Sequence, residues 1–91
     1  MTGAAQRVVS VRYFASLRET VGTTHEDVAL PAHVETVADL IAHLSARSDA
    51  SARAFAAPHV IRAALDHVHV QPDTPLGAAR EIAFFPPVTG G

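Results

Sequence analysis

The chain has 91 residues, 48% of them apolar and 18% charged, enough for one compact domain and too few for an enzyme with separate cofactor and substrate lobes. Seven Arg, no Lys and nine acidic residues give a formal charge of -2, so counterion-release binding to nucleic acid is excluded, and the apolar residues form no run long enough for a membrane span. With no Cys there is neither a disulfide, nor a thiolate metal site, nor a persulfide, and any sulfur chemistry has to use another atom. The start, Met1-Thr-Gly-Ala-Ala-Gln, has no basic segment leading into an apolar stretch, which argues against a secretory signal and makes the cytoplasm the expected compartment.

Arg7 to Ala15 alternates with the period of a half-buried strand. Val9, Val11 and Tyr13 fall on one face, and Ser10, Arg12 and Phe14 on the other. Phe14 therefore stands on the polar side, where a large ring is either covered by a later segment or left for a partner. Ser16 to Thr24, with Gly22 among polar residues, is expected to be a long turn, and His25 to Leu30 a second strand stopped by Pro31. Thr36 and Asp39 form a capping-box pattern with Asp in place of Glu. Val37, Leu40, Ile41 and Leu44 then recur at helical spacing, so the main helix should lie across a sheet with His43 and Arg47 toward water. Ser45 to Ala57 is read as a short second helix ended by Pro58, with little functional content.

Val60 to Val70 fits helix in its first half and strand in its second, with Asp66-His67 as a turn between two short strands. Pro72 to Pro75 is a loop, and Leu76 to Ala79 one tight turn. Glu81 to Phe85 is the last strand. If Ile82 and Phe84 point inward, Ala83 and Phe85 point outward, which leaves a second exposed ring. This order of elements is an α+β arrangement, a mixed sheet packed on one main helix.

The segment Phe84-Phe85-Pro86-Pro87-Val88-Thr89-Gly90-Gly91 carries the functional signal. Consecutive prolines fix φ and push the residue before each away from helix, so residues 86–91 are expected to be an extended, flexible tail. From Phe85, six residues reach about 20 Å at most, enough to enter a neighbouring protein's pocket. Glycines without Cβ pass a narrow channel and leave a terminal carboxylate unhindered. A carboxylate becomes a competent electrophile once converted to an acyl adenylate, and attack by sulfur then gives a thiocarboxylate, an anionic sulfur nucleophile.

Val11-Arg-Tyr-Phe-Ala-Ser-Leu-Arg-Glu19, the Thr36 to Leu44 helix and the terminal octapeptide together resemble the small subunits of molybdopterin synthase across nearly the whole chain. The resemblance implies a ubiquitin-like β-grasp fold, residues 1–91 forming a single sulfur-carrier domain. It implies that Gly91 is adenylated by an ATP-dependent activating enzyme, converted to a thiocarboxylate and inserted into the large subunit. There it gives sulfur to the cyclic pterin precursor to build the molybdopterin dithiolene. Pro86, Pro87, Val88, Thr89 and Gly90 are then the docking tail, and Phe14 and Phe85 the apolar contacts with the large subunit, in an expected heterotetramer with two large subunits at its centre. Against the family pattern, Asp66-His67 replaces an Asn-containing turn, Gly77-Ala78-Ala79-Arg80-Glu81 an acidic Gly-Asp turn, and His69 an apolar interface residue.

No bound cofactor is implied for the chain itself; ATP is used by the activating enzyme. His67 and His69 share a face but lack the carboxylate or thiolate company of a complete metal site. No Ser, His and Asp grouping has the context of a nucleophile, so no intrinsic active site is expected. The competing readings are a carrier for thiamine or tRNA thiolation, which Phe-Phe-Pro-Pro disfavours, and a non-catalytic ubiquitin-like interaction module.

Overall fold

The computed structural model describes residues 7–87. Strand β1 spans Arg7–Tyr13, and its alternation is realised as read: Val9, Val11 and Tyr13 are buried while Arg7, Val8 and Arg12 are exposed. It ends two residues earlier than expected, because Phe14 caps helix α1, Ala15–Val21. That helix replaces the long turn expected over Ser16 to Thr24. Its signal in the sequence is slight, since only Leu17 and Val21 contribute an apolar stripe, and Gly22 draws the eye to a turn. Leu17 is buried and Val21 packs against the core, so tertiary contact supplies what helical periodicity lacks. Gly22, at φ 93°, is the left-handed residue that closes the helix, its N–H donating to the Arg18 carbonyl at 2.9 Å.

Strand β2, His25–Leu30, returns antiparallel to β1 and stops before Pro31. Helix α2, Val37–Ser45, opens on the full capping box. The Asp39 N–H donates to the Thr36 hydroxyl oxygen at 3.1 Å, and the Asp39 carboxylate accepts from the N–H groups of Glu35 and Thr36 at 3.0 and 3.1 Å. Those two backbone donors hold the Asp39 carboxyl below its ordinary range. The remaining first-turn donors are met from a distance: Val37 N–H donates to the Thr74 carbonyl and Ala38 N–H to that of Pro72, so the loop expected at Pro72 to Pro75 serves as a cap for α2. Val37, Leu40, Ile41 and Leu44 are buried, as their spacing requires.

Helix α3, Asp49–Ala54, begins at Ser48, whose side-chain oxygen accepts from the Ser51 N–H. It ends before Pro58, which instead starts a 3-10 turn over Pro58–Val60; the first half of the ambiguous Val60 to Val70 segment is thus a turn leading into a strand. The Ser45 to Ala57 segment also matters more than its composition suggests, because it delivers Phe55 to the core, with ring centroids 5.1 Å from Phe84 and 6.3 Å from Tyr13. Among the described residues three helices therefore accompany the sheet, with α2 carrying the broadest apolar face, where one main helix with a short companion is expected from the sequence.

Strands β3 (Arg62–Leu65) and β4 (Val68–Val70) form a two-residue hairpin. Asp66 and His67 both have positive φ, 46° and 74°, the pattern whose twist matches paired strands. The Asp66 carboxylate accepts from the N–H groups of Arg80 and Glu81 at 3.1 and 3.0 Å, which ties the hairpin to the start of the next strand. Strand β5, Glu81–Phe85, has the expected bounds and enters the sheet centrally, parallel to β1 and antiparallel to β3. The order β2-β1-β5-β3-β4 completes a mixed sheet packed on helices, the α+β, ubiquitin-like β-grasp arrangement. Its helix-facing side buries Val9, Val11, Tyr13, Ile82, Phe84 and Leu65 in one core with Val37, Leu40, Ile41 and Leu44 of α2.

Among the described residues of the hydrophobic core, Tyr13 carries a polar end. Its hydroxyl donates to Glu26 Oε2 at 2.7 Å, and Arg47 Nη2 donates to Glu26 Oε1 at 3.1 Å, so Arg47 is exposed as expected but is engaged in an ion pair. Burial, then the bond to Glu26, pushes the phenol above its usual range.

Ala15 is the one strained junction on the way from β1 to α1, at φ 54°. A left-handed conformation costs a residue with a Cβ about 1–2 kcal/mol, and glycine escapes that cost. Ala15→Gly is expected to leave stability unchanged or raise it by up to about 1 kcal/mol, whereas Ala42→Gly on the exposed side of α2 should lower it by about 1 kcal/mol. Urea unfolding of the two variants compares them directly.

Candidate docking face and tail

The face of the sheet away from the helices is assembled by register. β1 contributes Ser10 and Arg12, β5 contributes Glu81, Ala83 and Phe85, β3 contributes Arg62 and Ala64, and β4 contributes His69. The pairs Arg12 with Ala83, Ala83 with Ala64, and Ala64 with His69 make one continuous row. Small side chains at its middle leave a shallow concavity of about 550 Å³, bordered by Phe14, Phe85, His67, His69, Arg12 and Glu81. Arg12 Nε and Glu81 Oε1 lie 3.4 Å apart, which neutralises the rim on the β1 side.

Phe14 and Phe85, separated by most of the chain, meet here. The Phe14 N–H donates to the Phe84 carbonyl at 3.1 Å, which holds Phe14 alongside β5, and the two rings stand edge to face with centroids 6.3 Å apart. Phe14 is 45% exposed. Phe85 is outward-facing as expected but half-buried, where the sequence reading leaves an exposed ring. The covering group is His69, whose ring centroid lies 5.2 Å from that of Phe85 in a second edge-to-face contact. The expected apolar docking pair is therefore a cluster of three rings. Arg12, Ala64, Ala83 and Glu81 were not singled out from the sequence, although the period-two alternation that places Phe85 outward places Ala83 and Glu81 there as well.

β5 stops at Phe85 for a covalent reason. Pro86 and Pro87 have no N–H to offer a ladder, so strand pairing cannot continue past the Phe85–Arg62 pair. Pro86 is half-buried and Pro87 exposed, and neither belongs to a helix or strand. The candidate tail thus begins at the rim of the three-ring cluster. Val88, Thr89, Gly90 and Gly91, the residues of the expected reactive end, lie outside the described residues.

His67 and His69 border the same concavity, and among the described residues no three His, Cys, Asp or Glu side chains cluster so as to hold a metal ion. No helix among the described residues is long and apolar enough to cross a membrane.

The model of the ThiS family matches residues 11–91, which takes in both phenylalanines and the whole tail. The chain belongs to the ThiS family. Within it, the chain is similar to the molybdopterin synthase sulfur carrier subunit of Escherichia coli (strain K12), at 43% identity over 84 residues, covering 92% of this chain and 100% of that protein. It is also similar to the sulfur carrier subunit of Mycosarcoma maydis, at 36% identity over 87 residues, with 91% and 92% covered. Among solved structures, SAMP1 from Haloferax volcanii superposes with a TM-score of 0.70 at 22% identity, covering 93% of this chain and 100% of that one, a likeness of fold.

Proposed function

We propose that this chain is the sulfur-carrier subunit of a molybdopterin synthase and that Gly91 bears the sulfur. The observation that carries the reading is the match to the E. coli carrier subunit over that protein's entire length, at 43% identity. The Mycosarcoma maydis relative bears the same name, which favours molybdopterin synthesis over thiamine or tRNA thiolation as the destination of the sulfur.

The chemistry follows from the carboxylate. An activating enzyme joins the Gly91 carboxylate to the α-phosphorus of ATP, releasing pyrophosphate. A sulfide equivalent then attacks the acyl carbon and expels AMP, leaving a thiocarboxylate. In the large subunit the thiocarboxylate sulfur attacks a carbon of the cyclic pterin precursor, the carbon–oxygen bond there breaks with its electron pair and the departing oxygen takes up a proton, and water then cleaves the acyl–sulfur bond to return the Gly91 carboxylate; repetition supplies the second sulfur of the dithiolene. Acid, base and lysine groups come from the partners, so the subunit alone is inactive. Phe14 and Phe85 dock against the large subunit while Pro86, Pro87, Val88, Thr89 and Gly90 thread into it, two carriers flanking a central pair of large subunits in a heterotetramer. No cofactor is held by the chain, and the site of action is the cytoplasm.

Intact-mass spectrometry tests the reading. After incubation with activating enzyme, ATP and a sulfur donor, the chain should gain the mass difference of one oxygen replaced by sulfur, localised by fragmentation to Gly91. A chain that remains unchanged, while the E. coli subunit is converted under the same conditions, overturns it.

A further inference from the structure

We propose that Asp66 is a positioning residue for the docking face: one oxygen of its carboxylate holds the β3–β4 hairpin against the start of β5. It thereby keeps His69 on Phe85 at one end of the face and Glu81 against Arg12 at the other. The role rests on the sulfur-carrier reading, to which it adds what keeps the docking surface in shape before the partner arrives.

The need for such a residue follows from the topology. β4 is the last strand of the sheet, three residues long and paired with β3. An edge strand of that length on a two-residue turn brings few contacts of its own, and Val68 at its start is 64% exposed. Yet β4 carries His69, whose ring reaches across to Phe85, centroids 5.2 Å apart, and so covers the residue from which the tail departs. That ring contact shapes a docking surface only while the hairpin is held.

Asp66 supplies the hold. The turn sets it in the left-handed region at φ 46°, which Asp and Asn enter more readily than other residues with a Cβ. In that conformation its N–H donates to the Glu81 carbonyl at 3.0 Å. Its Oδ1 accepts from the N–H groups of Arg80 and Glu81 at 3.1 and 3.0 Å, so three bonds converge where β5 begins. The Arg80 carbonyl in turn accepts from the Ser10 N–H at 2.9 Å, and the hairpin, β5 and β1 are joined at this point. Glu81, fixed by its backbone, presents Oε1 to Arg12 Nε at 3.4 Å on the rim of the same concavity. Because both side-chain bonds end on Oδ1, the site requires one acceptor oxygen rather than a negative charge. An asparagine carbonyl oxygen, with its two lone pairs, meets that requirement.

The test compares the full wild-type chain with Asp66→Gly and Asp66→Asn. Glycine accepts the left-handed turn and removes the oxygen, whereas asparagine keeps both. In the free chain, Asp66→Gly should speed amide exchange at Arg80 and Glu81 and weaken the nuclear Overhauser contact between the His69 and Phe85 rings. The contact between the Phe55 and Phe84 rings of the core, centroids 5.1 Å apart, should stay at wild-type strength. Isothermal titration calorimetry against the large subunit should give Asp66→Gly a Kd about tenfold above wild type, the factor expected when the face is correctly shaped about a tenth of the time. Asp66→Asn should match wild type in all of these measurements. A purely structural role would lower the urea midpoint and leave Kd unchanged, since without denaturant both chains are folded. Wild-type affinity in Asp66→Gly overturns the proposal, as does an Asp66→Asn chain that docks as weakly as Asp66→Gly, which would make charge the active property. Loss of the Phe55 to Phe84 contact in Asp66→Gly also overturns it, by showing that Asp66 holds the whole fold. Absence of wild-type binding counts against the sulfur-carrier reading and this role together, whereas wild-type binding with an unchanged Kd in Asp66→Gly counts against this role alone.

Discussion

Deletion of Gly90 and Gly91 is expected to abolish thiocarboxylate formation and conversion of the pterin precursor while leaving the folded domain intact. The two halves of this expectation have separate physical grounds. Among the described residues the core is built from β1, β2, β3, β5 and the three helices, with its buried side chains between Val9 and Phe84, and the two deleted glycines carry no side chain, so their removal takes none away. Activity, by contrast, requires an acyl carbon at the position the activating enzyme and the large subunit can enclose. A chain ending at Thr89 sets a β-branched side chain beside the terminal carboxylate, where the proposed carrier has a glycine without a Cβ, and falls two residues short, up to about 7 Å of reach. Urea unfolding should give the same midpoint for the truncated and full chains, and a coupled assay of precursor conversion should read background. Conversion that survives the deletion would show that the sulfur is not carried at Gly91.

The second large effect separates two adjacent phenylalanines. Phe84 and Phe85 follow one another in β5, yet Phe84 is fully buried, packed on Phe55, and Phe85 faces the docking side. Phe84→Ala should cost about 3–5 kcal/mol through lost burial and an unfilled cavity, a large fraction of the roughly 5–15 kcal/mol that holds a domain of ordinary stability. Phe85→Ala should cost only about 1 kcal/mol, because its ring is half-open to water and loses two edge contacts. In binding to the large subunit the ranking reverses. Phe85 sits at the centre of the three-ring cluster, and truncating an aromatic anchor of that kind should weaken docking by about 2 kcal/mol, on the order of 30-fold. Urea midpoints and a binding isotherm for the two variants measure both quantities. Equal stability losses would mean that the inside–outside assignment of β5 is wrong.

Much of the fold was legible from local pattern. Alternation in Arg7 to Ala15 and Glu81 to Phe85, the capping box at Thr36 and Asp39, and the Asp66-His67 turn each contain their signal within a few residues; the last three fold as read, and the first strand stops two residues short, at Tyr13. Helix α1 was not legible, because two apolar residues in seven set no period and its stability comes from Leu17 resting on a sheet assembled elsewhere in the chain. The importance of Phe55 was hidden for the same reason: nothing next to it in sequence announces that Tyr13 and Phe84 will leave a space of its shape.

For the candidate site, the sequence by itself determined the stop of β5 before Pro86 and the outward parity of Phe14 and Phe85, and it is the source of the chemistry proposed for the tail. Proline's missing N–H, glycine's missing Cβ and the two-residue period of a strand are properties of the covalent chain and do not depend on what it packs against. Only the tertiary structure decided that the two rings meet, that Ala64 and Ala83 leave a hollow between strands, and that His69 rests on Phe85. Those contacts exist because β5 enters the sheet between β1 and β3, bringing together residues some 70 positions apart in the chain, and no local interaction encodes a pairing whose partner has yet to be placed.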